Sequence, residues 1–159
     1  MQRIRFIGLV ILVAALGSAF ALAADPTPSN MDILRDKIKA DKKLVVAENM
    51  QLTEAEAKAF WPVYDEYQAG LAKINEQLKK VVLTYAEAWN NEKVTDETCK
   101  QLVADAMAIE ESELQLKKTM LPKLQAALPA MKVMRYLQIE NKIRALVRFD
   151  LAAGVPLAQ

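Results

Sequence analysis

The chain has 159 residues, 53% of them apolar, and a formal charge of +1 from 21 Lys and Arg against 20 Asp and Glu. That balance gives no electrostatic footprint for nucleic acid, and the apolar share is ample for the core of one domain. There is no histidine and one cysteine, Cys99. The commonest general base and transition-metal ligand are therefore missing, a serine triad or Cys–His pair cannot be built, and no internal disulfide can close.

The N-terminus reads as a secretory signal peptide. Arg3 and Arg5 form a short positive region, Phe6 to Leu22 carry no charge, and Ala21-Leu22-Ala23 fits the small-x-small pattern of signal peptidase sites. Cleavage near Ala23 or Ala24 is expected. Residues 1–24 are then a signal peptide and residues 25–30 a Pro-Ser-Asn tether, with the processed chain in the periplasm or secreted. The alternative is retention of the apolar run as a membrane anchor. No cysteine sits at the cleavage site to carry a lipid. Loss of Arg3 and Arg5 leaves 19 basic against 20 acidic residues, a charge of −1.

A single helical domain is expected over 31–151, followed by a tail at 152–159. Residues 31 to about 48 show a weak helical stripe at Leu34, Ile38 and Val45. The same stretch carries Arg35, Lys37, Lys39, Lys42 and Lys43 against Asp36 and Asp41. It reads as a solvated face or as a positive surface for acidic partners or lipid head groups.

Thr53-Glu54-Ala55-Glu56 is a capping box, because the Thr53 hydroxyl suits the Glu56 N–H and Glu56 reaches back. Behind it Phe60, Tyr64, Tyr67, Leu71, Ile74, Leu78, Val81, Tyr85 and Trp89 recur four and three residues apart. That spacing marks a long helix over about 54–91, packed along its length against others. Pro62, well past the first turn, removes the bond to the Lys58 carbonyl and predicts a bend.

Asn90-Asn91-Glu92-Lys93 is a polar break, and Thr95 with Asp96 and Glu97 suits the start of the next helix, over about 96–127. One apolar row runs through Leu102, Ala106, Ile109, Leu116, Met120, Leu124 and Leu128. A second runs through Val103, Met107, Leu114 and Leu121, so two packing partners are expected for this helix. Pro122 repeats the feature of Pro62. Leu128-Pro129 predicts a turn or sharp bend, and a last helix extends to about Leu151 before Gly154 and Pro156. The expected fold is all-α: three to four helices, two of them long and kinked, in an antiparallel hairpin or bundle with coiled-coil-like packing.

Chemistry is sparse. Glu110, Glu111 and Glu113 read as surface charge, with Lys117 four residues after Glu113 forming a favourable helical pair. Met107, Met120, Met131 and Met134 read as core filler rather than a soft-metal site. Glu140, Arg144 and Arg148 line one face of the last helix, placed for ion pairs to another helix or a second subunit. No catalytic residue, cofactor site or metal site is expected.

At Leu52-Thr53-Glu54-Ala55-Glu56, opening a long helix after a leader, the sequence resembles the Spy/CpxP-like periplasmic proteins, the LTxxQ group. Glu56 stands where the motif has Gln, and Val94-Thr95-Asp96-Glu97 is only a worn echo of a second copy. The resemblance implies a small exported helical protein, commonly an antiparallel dimer of curved shape, acting as an ATP-independent chaperone or envelope-stress modulator. The histidines of the metal-sensing relatives have no counterpart here. The expected function is thus an exported helical binding protein of this kind, a homodimer that holds unfolded clients or an envelope partner. Candidate contact residues are Phe60, Trp61, Tyr64, Arg35, Lys39, Lys42 and Lys43. The alternative is a coiled-coil adaptor of the cell envelope without chaperone activity.

Overall fold

The computed structural model describes the backbone of residues 30–158, and side chains at Asp36 and from Ala40 onward. The expected leader and nearly all of the tether lie outside the described residues. Four helices follow in order: α1 Asn30–Met50, α2 Glu54–Asn90, α3 Asp96–Ala127 and α4 Ala130–Gly154. Short turns make successive helices antiparallel, and the result is an all-α, up-down-up-down bundle. The longest member, α2, has 37 residues, about 55 Å at 1.5 Å per residue. Among the described residues no helix is long and apolar enough to cross a membrane.

Local chemistry sets the boundaries. The Thr53 hydroxyl accepts from the Glu56 N–H at 3.3 Å, and the Glu56 carboxylate accepts from the Thr53 N–H at 2.8 Å. Two otherwise unpaired donors of the α2 terminus are thereby satisfied. Lys132 of α4 closes on the same carboxylate, and with the Thr53 N–H it holds Glu56 below the usual carboxylate range. Lys132 also donates to the Gln51 carbonyl at 3.0 Å. Gln51 has φ 49°, a left-handed conformation that a side chain resists, so this contact braces the α1–α2 turn. Thr53→Ala is expected to lower stability by about 1 kcal/mol, read as a shifted urea midpoint at unchanged slope; Thr53→Ser should restore it.

The expected single helix over 31–48 is corrected in one respect. α1 is two helical segments meeting at Asp41, whose backbone is extended at φ −160° and ψ 96°. The Asp41 carboxylate accepts from the Leu44 N–H at 3.0 Å, so it caps the second segment. A short acidic side chain competes for backbone N–H groups and favours a cap over a helix interior. Val45, Val46 and Met50 of that second segment are buried.

Pro62 and Pro122 both sit inside helices that continue past them, so α2 does not start again at Pro62. Thr95 caps α3 by accepting from the Thr98 N–H at 3.2 Å. Leu128 is extended, and Pro129 opens α4 with its fixed φ of −59°. α2 and α3 approach closely where Gly70 faces Leu116; a Cβ on Gly70 would lie 2.6 Å from Leu116 Cδ1.

The core lies at one end of the bundle, where all four helices contribute. Phe60, Tyr64, Tyr67 and Leu71 of α2 meet Met120 and Leu124 of α3, Val133 and Tyr136 of α4, and Val46 and Met50 of α1. Tyr136 is its centre, with ring centroids 5.0 Å from Phe60 and 6.1 Å from both Tyr64 and Tyr67. Toward the α2–α3 turn, Leu78, Val81, Tyr85 and Trp89 are only half-buried. The chain after α4 folds back there, and the Tyr85 hydroxyl donates to the Pro156 carbonyl at 3.0 Å.

Candidate functional site

Of the seven residues expected to contact a partner, two are buried, two are half-buried, one is exposed, and the side chains of two are not described. Phe60 is 0% exposed and Tyr64 is buried, so neither offers a surface. Trp61 is half-buried, 5.0 Å from the Phe60 ring and 5.3 Å from Tyr64. The Lys43 ammonium lies 5.1 Å from the Trp61 ring centroid and pairs with Asp65 at 2.7 Å. Lys42 reaches Glu140 at 2.9 Å and Gln68 at 2.7 Å. These two lysines tie α1 to α2 and α4 rather than forming a free basic face. The physical reason is that α1 must cover the aromatic end of α2, and its lysine stems pack while their heads pair. The side chains of Arg35 and Lys39 lie outside the described residues.

Glu140 is 2% exposed and both its oxygens are used: Oε2 by Lys42 and Oε1 by the Gln68 amide at 2.9 Å. The same amide nitrogen lies 3.3 Å from the Tyr136 hydroxyl. Burial, reinforced by the Glu140 charge, pushes Tyr67 up to about 12, and burial first of all does the same to Tyr64. Tyr136 moves in the same direction for the same reasons. Burial therefore holds all three phenols in their neutral form.

Arg144 and Arg148 both cross to Glu113 of α3, Arg148 at 3.0 Å. Burial pulls Arg144 below its ordinary value. The expected pairing of Glu113 with Lys117 is therefore corrected: Glu113 is buried in this cluster. A signal for this was present. Ile109, Glu113, Leu116 and Met120 are four, three and four residues apart, so Glu113 fills the gap in the apolar row. The methionines are also corrected, because only Met120 is core while Met107, Met131 and Met134 are exposed. Among the described residues no group of three or more His, Cys, Asp or Glu could hold a metal ion.

Two surface features stand out among the described residues. The first is the second apolar row of α3: Val103, Met107, Leu114 and Leu121 are 63%, 61%, 52% and 37% exposed. α3 has the two packing partners expected of it, α2 and α4, yet this second row stays exposed beside them. Ala104, Ala108, Glu110 and Glu111 line an open depression beside Met107 and Leu114. Charge is unevenly spread along α3: Asp96, Glu97, Asp105, Glu110 and Glu111 precede the midpoint with Lys100 the one cation among them, and Lys117, Lys118 and Lys123 follow it together with Glu113. The second feature is a cleft of about 280 Å³ between α2, α3 and α4, lined by Tyr67, Lys117, Leu137, Glu140, Asn141 and Arg144 among others.

With this geometry the class is defined at the level of architecture, an all-α helical bundle. Comparison with family models, with curated proteins and with solved structures finds no match.

Proposed function

We propose that this chain is an exported helical binding protein that shields apolar stretches of other polypeptides without ATP, in the manner of the Spy/CpxP-like proteins it resembles. What supports this reading is the uncovered row of α3. Four large apolar side chains, Val103 to Leu121, stand exposed on one face of α3, spread over about 27 Å. Large apolar side chains exposed in a row, here interrupted by Glu110, Glu111, Lys117 and Lys118, suit an interaction surface of mixed character. The open depression beside Met107 and Leu114 suits weak, reversible contact more than a fitted ligand.

The test is suppression of aggregation of unrelated unfolded proteins by the processed chain. Met107→Gln with Leu114→Gln is expected to reduce suppression at least fivefold, because both side chains are exposed and the fold does not need them. Circular dichroism should be unchanged. Full suppression by the double variant, or none by the unaltered chain at several-fold excess, overturns this reading and leaves the coiled-coil adaptor.

The uneven charge of α3 favours a second reading, in which a second copy lies antiparallel on the same row. Mainly acidic first halves then face mainly basic second halves across a two-fold axis. Size-exclusion with light scattering should show a dimer that weakens in high salt. A strict monomer at micromolar concentration removes it.

A further inference from the structure

A client and a second copy on the α3 row would use the same side chains, so each excludes the other. Leu114 is the centre of that row in charge as well as in position. Glu110 and Glu111 precede it by four and three residues, and Lys117 and Lys118 follow it by three and four. At 3.6 residues per turn, Glu110 and Lys117 flank the row on one side, Glu111 and Lys118 on the other. Among the described residues none of these four side chains forms an ion pair. Within the helix they have little chance to: each acid is two turns from the lysine on its own flank, beyond the three- or four-residue spacing at which helix side chains pair. Glu113, four residues before Lys117, is taken by Arg144 and Arg148.

A second α3 laid antiparallel, with the two-fold axis at Leu114, serves every one of these charges. Such an axis brings each flank against the same flank of the copy. Glu110 then comes level, to within a helical rise of about 1.5 Å, with Lys117 of the partner subunit. Glu111 comes level in the same way with the partner's Lys118, and symmetry repeats both pairs. Between the flanks, Leu114 meets the partner's Leu114 and Met107 meets the partner's Leu121. Other alignments fail on charge. Sliding by one heptad sets Glu110 and Glu111 against their own copies; sliding the other way does the same to Lys117 and Lys118. A parallel pairing puts acid beside acid and lysine beside lysine. Like charges at the flanks of a helix pair select against these arrangements.

We propose that the α3 row is stored covered by a second copy of this chain in this one register, centred on Leu114, and that the separated chain is the form that takes clients. This rests on the α3 row being the client surface and joins the two readings of it into one equilibrium. The ion pairs are exposed, so they select the register more than they add affinity. The covered strip is a single helix face about 27 Å long, so the contact stays reversible and a client can compete for it.

The test reads oligomeric state, register and activity on the processed chain. The unaltered chain should be dimeric by light scattering at micromolar concentration. Glu110→Lys with Glu111→Lys, and separately Lys117→Glu with Lys118→Glu, give the face a single sign and should yield monomers. At equal chain concentration each monomer should suppress aggregation of reduced α-lactalbumin at least threefold better than the unaltered chain. An equimolar mixture of the two variants should re-form a dimer and lose that gain, which shows that both are folded and that charge alone is not the cause. A spin label on Ala104→Cys, with Cys99→Ser, should lie about 30 Å along the helix axis from its copy, against about 20 or 40 Å for a register one heptad away. A dimer that persists in both variants, or a label separation of about 20 or 40 Å, overturns the proposal and leaves the second-copy reading standing. Monomeric variants with no gain in suppression overturn the storage role. A monomeric unaltered chain removes the second-copy reading and this proposal together, while the client reading stands or falls on Met107→Gln with Leu114→Gln.

Discussion

Tyr136→Ala is expected to lower the stability of the bundle by about 4 kcal/mol, the largest effect of any single truncation considered. The ring is 0% exposed and touches three aromatic neighbours from α2. Removing a buried aromatic costs roughly 3–5 kcal/mol, through lost transfer free energy and the cavity left behind, and the edge-to-face contacts add to that. A domain of this size has on the order of 5–15 kcal/mol in total, so much of the margin goes. Tyr136→Phe separates ring from hydroxyl. It keeps the packing and removes the hydroxyl's 3.3 Å contact to Gln68 and its interaction with Glu140, so its cost should be about 1 kcal/mol. Urea unfolding followed by circular dichroism checks both. Similar losses for the two variants would mean that the hydroxyl network, not ring packing, holds α4 to α2.

Lys42→Met is expected to cost about 3 kcal/mol, although Lys42 lies near the surface. The loss comes from its partner: Glu140 is 2% exposed, and without the ammonium its charge stays buried with only the Gln68 amide opposite Oε1. Breaking a buried pair from one side costs roughly 3–5 kcal/mol, reduced here because Lys42 itself is 26% exposed. The sign reverses for the pair taken together. Lys42→Met with Glu140→Leu removes both charges and should recover most of the loss, since a well-packed apolar pair often replaces a buried ion pair without penalty. A double-mutant cycle measures this directly. Additive losses would show that the two residues are not coupled as the 2.9 Å contact implies.

Lys42 also illustrates why candidate contact residues are hard to read from sequence. It belongs to a run of lysines whose charge suggested a partner surface. Where a lysine head goes depends on what lies opposite. Opposite Lys42 is a glutamate 98 residues away in the chain, brought there by α4 folding back along α2. Phe60 and Tyr64 carry the same lesson in reverse. Their spacing marks an apolar face, but spacing cannot tell a face that packs from one that waits for a client. The charged row Glu140, Arg144 and Arg148 divides between two helices, one member to α1 and two to α3. No local pattern specifies that division.

What the sequence determined by itself is the set of helices and their ends. The Thr53 and Thr95 caps, the break at Asn91 and the turn at Leu128-Pro129 lie where local hydrogen bonding and fixed φ dictate. Helical periodicity placed Phe60, Tyr64, Tyr67, Leu71 and Ile74 on one buried face. These are short-range properties, set within a few residues of chain. Tertiary structure alone decided which apolar row of α3 is covered, because α2 and α4 together enclose one side and leave Val103, Met107, Leu114 and Leu121 in the open. It also decided that Glu113 and Glu140 are buried, since a carboxylate enters a core only where cations from other helices meet it. The cleft beside Tyr67 follows from the same assembly: its lining is contributed by three helices, and only their packing brings it together.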